Sequence, residues 1–303
     1  MSATDIPGLA FVQAPAAPET FNILLYGPPK SGKSTAAATA PGPILWVNAE
    51  GPGALGYARL TAAKRGTVIH EVQIGRRDDA RVVLRAVLEH VVRGVDPKPA
   101  TVVVDTLAKV RDSLVRLLVT RQKDSRTQYG EVNRILTEFI SMLRDADVNL
   151  ILLAHEDVKD EDGERIVQPL IGGALTQFAP GEVDVLGYTA VMTDQETGDE
   201  RYVAQLREGK GRRAGDRSGG LGTVRDLDLT EWLATYAAAL TPDTSDVPFA
   251  EDFDEEKNVT TAPASPAAPA GATTGPQEDA AHPPSAASST PPSGHNPDDD
   301  IPT

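Results

Sequence analysis

The segment Gly27-Pro-Pro-Lys-Ser-Gly-Lys-Ser34 matches the phosphate-binding pattern G-x-x-x-x-G-K-[ST]. It follows an apolar run at 23–26 that predicts a strand, and it opens a short predicted helix at 33–39. Glycines let the backbone curl so that its N–H groups point at phosphate oxygens, the lysine reaches the β- and γ-phosphates, and the serine hydroxyl binds Mg²⁺. The sequence therefore predicts a nucleotide-binding phosphate loop, which consists of Gly27, Pro28, Pro29, Lys30, Ser31, Gly32, Lys33, Ser34 and Thr35.

Two acidic residues at the ends of other predicted strands are the expected partners of this loop. Asp105 ends a run of valines, where a carboxylate can hold Mg²⁺ together with Ser34; an N-cap for the following helix is the structural alternative. Many nucleotide hydrolases place a glutamate directly after this aspartate, but here the next residue is Thr106. We therefore expect Glu50 to orient the attacking water, and an exposed strand-end carboxylate is the alternative.

Short apolar runs alternate with longer segments of helical periodicity. The runs that predict strands are 23–26, 44–47, 68–69, 101–104 and 150–153, and the helical segments are 78–93 and 131–146. This alternation predicts an α/β fold with a mostly parallel sheet. Further along, an antiparallel hairpin is predicted at the sheet edge, with strands 185–192 and 201–206.

The formal net charge of −15 is distributed unevenly. Residues 241–303 carry 12 acidic residues and one basic residue, so the rest of the chain has a net charge of only −4 and could still bind a polyanion. The same segment contains 12 of the 24 prolines. We therefore predict an N-terminal extension at 1–20, a folded domain at 21–240 and a disordered acidic tail at 241–303.

Composition excludes several classes of protein. The chain has no cysteine, which rules out disulfide scaffolds, thiolate zinc sites and cysteine nucleophiles. It has no apolar run of roughly 18 residues, the minimum for a membrane-spanning helix. The N-terminus lacks the basic and apolar regions of a secretory signal. A cytoplasmic protein without membrane contact is expected, in the host cytoplasm if the chain is encoded by a phage.

Together these motifs resemble the RecA-type recombinase core. The matching segments are the phosphate loop, Trp46-Val-Asn-Ala-Glu50 followed by Tyr57-Ala-Arg59, Val102-Val-Val-Asp105, Gln128-Tyr-Gly130 and Asn149-Leu-Ile-Leu-Leu-Ala-His155. Over about 20–225 the chain is similar to small RecA-like ATPases of bacteriophages that are associated with single-strand annealing and recombination, the phage nucleotide-binding AAA family. The resemblance implies a RecA-type P-loop NTPase core, ATP and Mg²⁺ as ligands, and ATP hydrolysis coupled to work on DNA.

The same resemblance gives roles to three further residues. His155 would sense the γ-phosphate, and a histidine that caps a backbone group is the alternative. Lys210 and Arg212 lie in a glycine-rich basic loop and resemble the trans-acting fingers of RecA- and DnaB-type rings and filaments, which implies a homo-oligomer. A loop that contacts DNA phosphates and a purely solvated basic loop are the alternatives.

Single-stranded DNA is the partner that the resemblance implies. The candidate contact region runs from Arg111 to Arg134 and includes Arg116, Arg121, Lys123, Arg126 and Tyr129, although such a pattern also fits a solvated helix face. The segment 156–164 lies where the recombinase pattern has a DNA loop, but it is acidic here. Two other functions stay open: a DnaB-like helicase motor, and an ATP-gated DNA-binding or loader module with little hydrolysis that serves an annealing or single-stranded DNA-binding protein.

Overall fold

The computed structural model describes residues 18–119, 125–161, 163–194 and 197–241. The predicted acidic tail, apart from Thr241, and most of the predicted N-terminal extension lie outside the described residues. The strands are β1 (Asn22–Gly27), β2 (Ile44–Asn48), β3 (Ile69–Gln73), β4 (Thr101–Asp105), β5 (Asn149–Glu161), β6 (Glu164–Leu170), β7 (Val185–Thr193), β8 (Glu200–Gln205), β9 (Gly215–Asp216) and β10 (Val224–Asp226). The helices are α1 (Lys33–Ala37), α2 (Gly56–Lys64), α3 (Ala80–Val92), α4 (Leu107–Leu118), α5 (Ser125–Arg144), α6 (Leu175–Gly181) and α7 (Leu229–Leu240).

The strands form one sheet in the order β10-β8-β7-β1-β5-β4-β2-β3. The six strands from β7 to β3 pair in parallel, whereas β8 and β10 add to the β7 side in antiparallel orientation. The predicted α/β class with a mostly parallel sheet is therefore confirmed, as is the hairpin, which β7 and β8 form. Because β10 pairs with β8, the hairpin lies next to the edge strand and is not itself the edge.

Each face of the sheet carries its own hydrophobic core, because successive side chains of a strand point to opposite faces. Leu24 and Val102 pack into the core shared with α3, α4, α5 and α6. Ile23 and Val103 pack into the core shared with α1, α2 and α7. The central strands are thus buried on both sides, which explains their continuous apolar runs. In the part of the chain that the structure describes, no helix is long and apolar enough to cross a membrane.

In two segments the structure goes beyond what the sequence predicts. The strand expected at 68–69 is β3, which runs from Ile69 to Gln73 at the edge of the sheet and contains only half-buried and exposed residues. The acidic segment 156–164, which lies where the recombinase pattern has a DNA loop, belongs to a hairpin here: β5 continues past the sheet and pairs with β6 in antiparallel orientation. Gly163, with φ +82°, lies at the turn of this hairpin.

Sheet register brings the candidate residues together at one edge. Gly27 is paired with His155, and Asp105 is paired with both Asn48 and Leu153. These positions are at the carboxyl ends of the parallel strands β1, β2 and β4 and at the point where β5 leaves the parallel core. This edge is where ligands bind in open α/β sheets.

Candidate active site

The phosphate loop connects β1 to α1, and two glycines hold its shape. Gly27 has φ +152° and Gly32 has φ +89°, values that residues with side chains rarely adopt. A Cβ atom at Gly27 would overlap the carbonyl oxygen of Thr189 and lie 2.7 Å from its hydroxyl. At the same contact, the hydroxyls of Ser31 and Thr189 are 2.5 Å apart. The loop is therefore closed against β7, and a side chain at position 27 would push it away.

The Lys33 ammonium lies inside the phosphate loop. Its Nζ donates to the carbonyl oxygens of Gly27 at 3.0 Å and Pro28 at 2.7 Å. Burial lowers the pKa of Lys33 to about 8, and the carboxylates of Asp105 and Glu156 oppose this effect. A phosphate oxygen would offer the ammonium a charge-assisted hydrogen bond, which is stronger than a bond to a neutral carbonyl. Lys33 is thus placed to exchange these carbonyls for nucleotide phosphates.

The two expected metal ligands lie in contact with each other. Ser34 Oγ donates to Asp105 Oδ2 at 3.0 Å, and Asp105 is only 3% exposed. Burial raises the pKa of Asp105 to about 6. The charge of Glu50 adds to this increase, whereas the hydrogen bond from Ser34 opposes it. A hydroxyl and a carboxylate in contact beside the phosphate loop are oxygen ligands of the kind that Mg²⁺ takes. These residues therefore fit a magnesium–nucleotide complex.

Glu50 lies at the same edge, with one carboxylate oxygen fixed by neighbours. Thr106 Oγ1 donates to Glu50 Oε1 at 2.6 Å, and His155 Nε2 lies 3.9 Å from the same oxygen. The Glu50 side chain is 26% exposed, so it is accessible to water. The two predicted acids, Glu50 and Asp105, are thus brought together beside the phosphate loop.

Asn48 organises the turn that carries Glu50. Its side-chain oxygen accepts from the backbone N–H of Glu50 at 2.9 Å and of Gly51 at 3.2 Å. Its amide nitrogen donates to the Gly51 carbonyl at 2.9 Å and to Glu71 Oε1 at 2.8 Å. The supporting roles of Asn48 and Thr106 were not predicted from the sequence. The signal that points to them is that each lies within two positions of a predicted acidic residue.

His155 lies between the phosphate loop and Glu50. Burial lowers its pKa, and the charge of Lys33 adds to the effect, so this environment favours the neutral imidazole. Its Nδ1 atom is buried and has no hydrogen-bond partner among the described residues. The role of His155 as a γ-phosphate sensor stays a prediction.

Lys210 and Arg212 have different environments. Lys210 is exposed and has φ +54°. The guanidinium carbon of Arg212 lies 4.6 Å from the centre of the Tyr188 ring, and its NH1 donates to Gln205 Oε1 at 3.3 Å. The trans-acting roles of both residues stay predictions, and Arg212 has contacts within its own chain.

The basic stretch on α4 and α5 contains a polar cluster. The Arg111 guanidinium carbon lies 5.9 Å from the Tyr129 ring centre, and Arg111 Nε and Asn133 Oδ1 are buried without a hydrogen-bond partner in the described part of the chain. Two consecutive glycines with positive φ, Gly172 and Gly173, pass directly over this pair. Two other residues of the predicted stretch lie outside the described residues: Arg121 and Lys123.

Comparison with known proteins identifies the family. Residues 19–218 of the 303 match the profile of the AAA domain family, so the chain belongs to that family. With its phosphate loop, the domain is a P-loop NTPase of the ATPase type. No curated protein matches the chain.

Many solved structures are similar to this chain, including the following two. A KaiC-like protein from the hyperthermophilic archaeon Pyrococcus horikoshii OT3 is 16% identical, with a TM-score of 0.38 over 66% of this chain and 84% of that one. The flagellar accessory protein FlaH from Methanocaldococcus jannaschii is 11% identical, with a TM-score of 0.33 over 61% of this chain and 76% of that one. At these scores the fold class rests on the sheet order and register described above.

Proposed function

We propose that the protein is a Mg²⁺-dependent ATPase of the RecA-like type. The observation that carries the proposal is the convergence of three parts at one sheet edge: the phosphate loop, the Ser34–Asp105 contact of 3.0 Å, and Glu50 fixed by Thr106 at 2.6 Å. A phosphate cradle, an oxygen-ligand pair and a carboxylate open to water are the groups that phosphoryl transfer to water requires.

In the proposed reaction a water oxygen attacks the γ-phosphorus in line, the bond from that phosphorus to the β–γ bridging oxygen breaks, and ADP leaves. Glu50 accepts a hydrogen bond from the attacking water and orients it, while Thr106 keeps the carboxylate in place. Lys33 leaves its loop carbonyls and compensates the charge that develops on the β- and γ-phosphate oxygens. Ser34 and Asp105 would hold Mg²⁺, which when bound neutralises phosphate charge.

The test is ATP turnover and ATP binding measured for the wild type and two variants. Lys33→Ala should lose turnover and bind ATP weakly, and Glu50→Gln should bind ATP normally but turn it over at least about a hundredfold more slowly. Equal turnover by Glu50→Gln and the wild type would contradict the assigned role. Tight binding with negligible turnover in the wild type would instead favour the ATP-gated loader module.

We extend the proposal to single-stranded DNA as the partner that the ATPase acts on. In support, Arg111 on α4 is only half-buried, and the ring of Tyr129, whose centre lies 5.9 Å from its guanidinium carbon, is 40% exposed. A guanidinium suits a phosphate oxygen and an exposed ring suits a stacked base. These residues supply both contacts that sequence-tolerant binding of single strands uses.

Binding of a labelled oligonucleotide across a salt series tests this extension. Arg111→Ala should weaken binding and lower the slope of log affinity against log salt by about 0.7, the value for one lost phosphate contact on a single strand. Arg85→Ala, which removes an exposed arginine from α3, is the matched control and should leave the slope unchanged. Identical slopes for all three proteins would exclude Arg111 from the DNA interface.

The setting of this activity is also a proposal. Exposed Lys210 is available to a neighbouring subunit, which supports assembly into a ring or filament, and the phage recombination context rests on the sequence resemblance. Stimulation of turnover by single-stranded DNA without unwinding of a forked duplex would fit this setting. Processive unwinding would favour the DnaB-like motor.

A further inference from the structure

The basic loop between β8 and β9 is fastened to its own chain. The N–H of Val167 donates to the Gly211 carbonyl at 2.7 Å, and the N–H of Arg213 donates to the Val167 carbonyl at 3.1 Å. Gly211 has φ +68°, and a Cβ atom there would overlap the carbonyl oxygen of Arg165. The loop backbone is therefore packed against β6 on both sides of Arg212.

The Arg212 side chain belongs to a cluster that Glu156, Tyr188, Gln205 and Arg212 form. The guanidinium lies over the Tyr188 ring at 4.6 Å, and Tyr188 Oη donates to Glu156 Oε2 at 2.9 Å. The contact to Gln205 Oε1 uses NH1 of Arg212 and is long, at 3.3 Å. The ring and the glutamine hold the guanidinium in place while leaving donors for another acceptor.

This cluster adjoins the phosphate loop of the same chain. The Tyr188 ring packs edge-on against the Tyr26 ring, with 5.3 Å between centres, and Tyr26 directly precedes Gly27. Glu156 directly follows His155, and its charge acts on Lys33. The neighbours of Arg212 are thus also neighbours of the catalytic site in the same protomer.

We infer that Arg212 acts in cis, on the phosphates of the nucleotide bound in its own phosphate loop, and that Tyr188 and Glu156 are the positioning residues that hold it there. This inference rests on the proposed ATPase activity and divides the basic loop by function. Arg212 serves its own site, and exposed Lys210 is the residue left to reach a neighbour. A guanidinium in cis complements γ-phosphate charge without requiring assembly.

Mixing two inactive variants distinguishes action in cis from action in trans. Arg212→Ala alone should turn ATP over about a thousandfold more slowly, the lower limit for loss of an arginine finger. A mixture of Arg212→Ala and Lys33→Ala should gain no turnover, because no subunit has both groups. A tagged Lys33→Ala protein that retains untagged Arg212→Ala protein in a pull-down shows that mixed assemblies form. If the protein is monomeric, loss of turnover in the Arg212→Ala monomer gives the same answer. Arg213→Ala, which removes the neighbouring charge, is the matched control.

Recovery of turnover on mixing would overturn the inference in favour of a trans finger, and so would normal turnover by Arg212→Ala.

A second measurement keeps the inference separate from the proposed hydrolysis. With fluorescent ATP and ADP analogues and dilute monomer, Arg212→Ala should bind the ATP analogue about tenfold more weakly and the ADP analogue unchanged. Tyr188→Leu should show the same selective loss, whereas Lys33→Ala should weaken both. Equal affinity of wild type and Arg212→Ala for the ATP analogue would refute action in cis even if no hydrolysis occurs.

Discussion

Replacing Thr106 with valine tests whether catalysis depends on a fixed Glu50. The Thr106 hydroxyl donates to Glu50 Oε1 at 2.6 Å, and Thr106 is 2% exposed, so valine fills the same space without the donor. Hydrogen bonds to charged groups contribute about 1.5–3 kcal/mol, and about 1.4 kcal/mol of barrier is a factor of ten in rate. We therefore expect kcat to fall by about 10- to 150-fold. KM for ATP should stay within about twofold, because Glu50 orients the water and binds no phosphate.

Phosphate release under saturating ATP and Mg²⁺ measures this effect. Thr106→Ser keeps the hydroxyl and should retain most of the activity, which separates the hydrogen bond from side-chain size. Thermal unfolding of all three proteins checks that the variants are folded. If Thr106→Val is folded and turns over ATP at the wild-type rate, then Glu50 is not held by Thr106 during catalysis and the water-orienting argument fails.

Three further predictions concern charge burial and backbone strain. Burial raises the pKa of Asp105 from 3.8 to about 6, so its ionised form destabilises the fold above pH 6 and not below pH 4. In EDTA, Asp105→Asn should therefore raise the free energy of unfolding in urea by up to about 3 kcal/mol at pH 8 and change it little at pH 4. An equal effect at the two pH values would contradict the raised pKa of Asp105. Because burial lowers the pKa of Lys33 to about 8, the affinity for ATP, measured by titration calorimetry, should fall as pH rises through 8. An affinity that stays constant from pH 7 to pH 9.5 would show that the ammonium is not needed for binding. Gly27→Ala would force a Cβ atom into Thr189. We therefore expect the variant to lose more than about 2 kcal/mol in free energy of unfolding and to lose ATP binding. Normal ATP binding by this variant would show that the phosphate loop tolerates opening.

The buried strands could be predicted from sequence because both of their faces are covered. Every residue of β2 and β4 is buried, which explains the nearly continuous apolar runs at 44–47 and 101–104. Only the first residue of β3 was found, since His70 and Glu71 are polar residues on a half-exposed edge strand. The extension of β5 into a hairpin was missed because Asp157 and its neighbours carry charge on a strand that has left the core.

The acidic residues of the site could be predicted for a related reason. The carboxyl ends of neighbouring parallel strands meet at one edge, so Glu50 and Asp105 had to lie close once their strands were identified. The contacts of Arg212 could not be found in the same way. They depend on pairing between Val167 and the loop at 209–213, which no local pattern in either segment specifies.

The length of β5 has a mechanical consequence. The strand is continuous for 13 residues and changes partners at its middle: up to Leu153 it lies between the parallel strands β1 and β4, His155 pairs with both β1 and β6, and from Glu156 onward the strand pairs with β6. At about 3.3 Å per residue, this arm of the hairpin extends roughly 20 Å beyond His155. A macromolecule that bound the far end of this arm and displaced it would rotate the strand about His155. The imidazole of His155 would then tilt relative to Glu50.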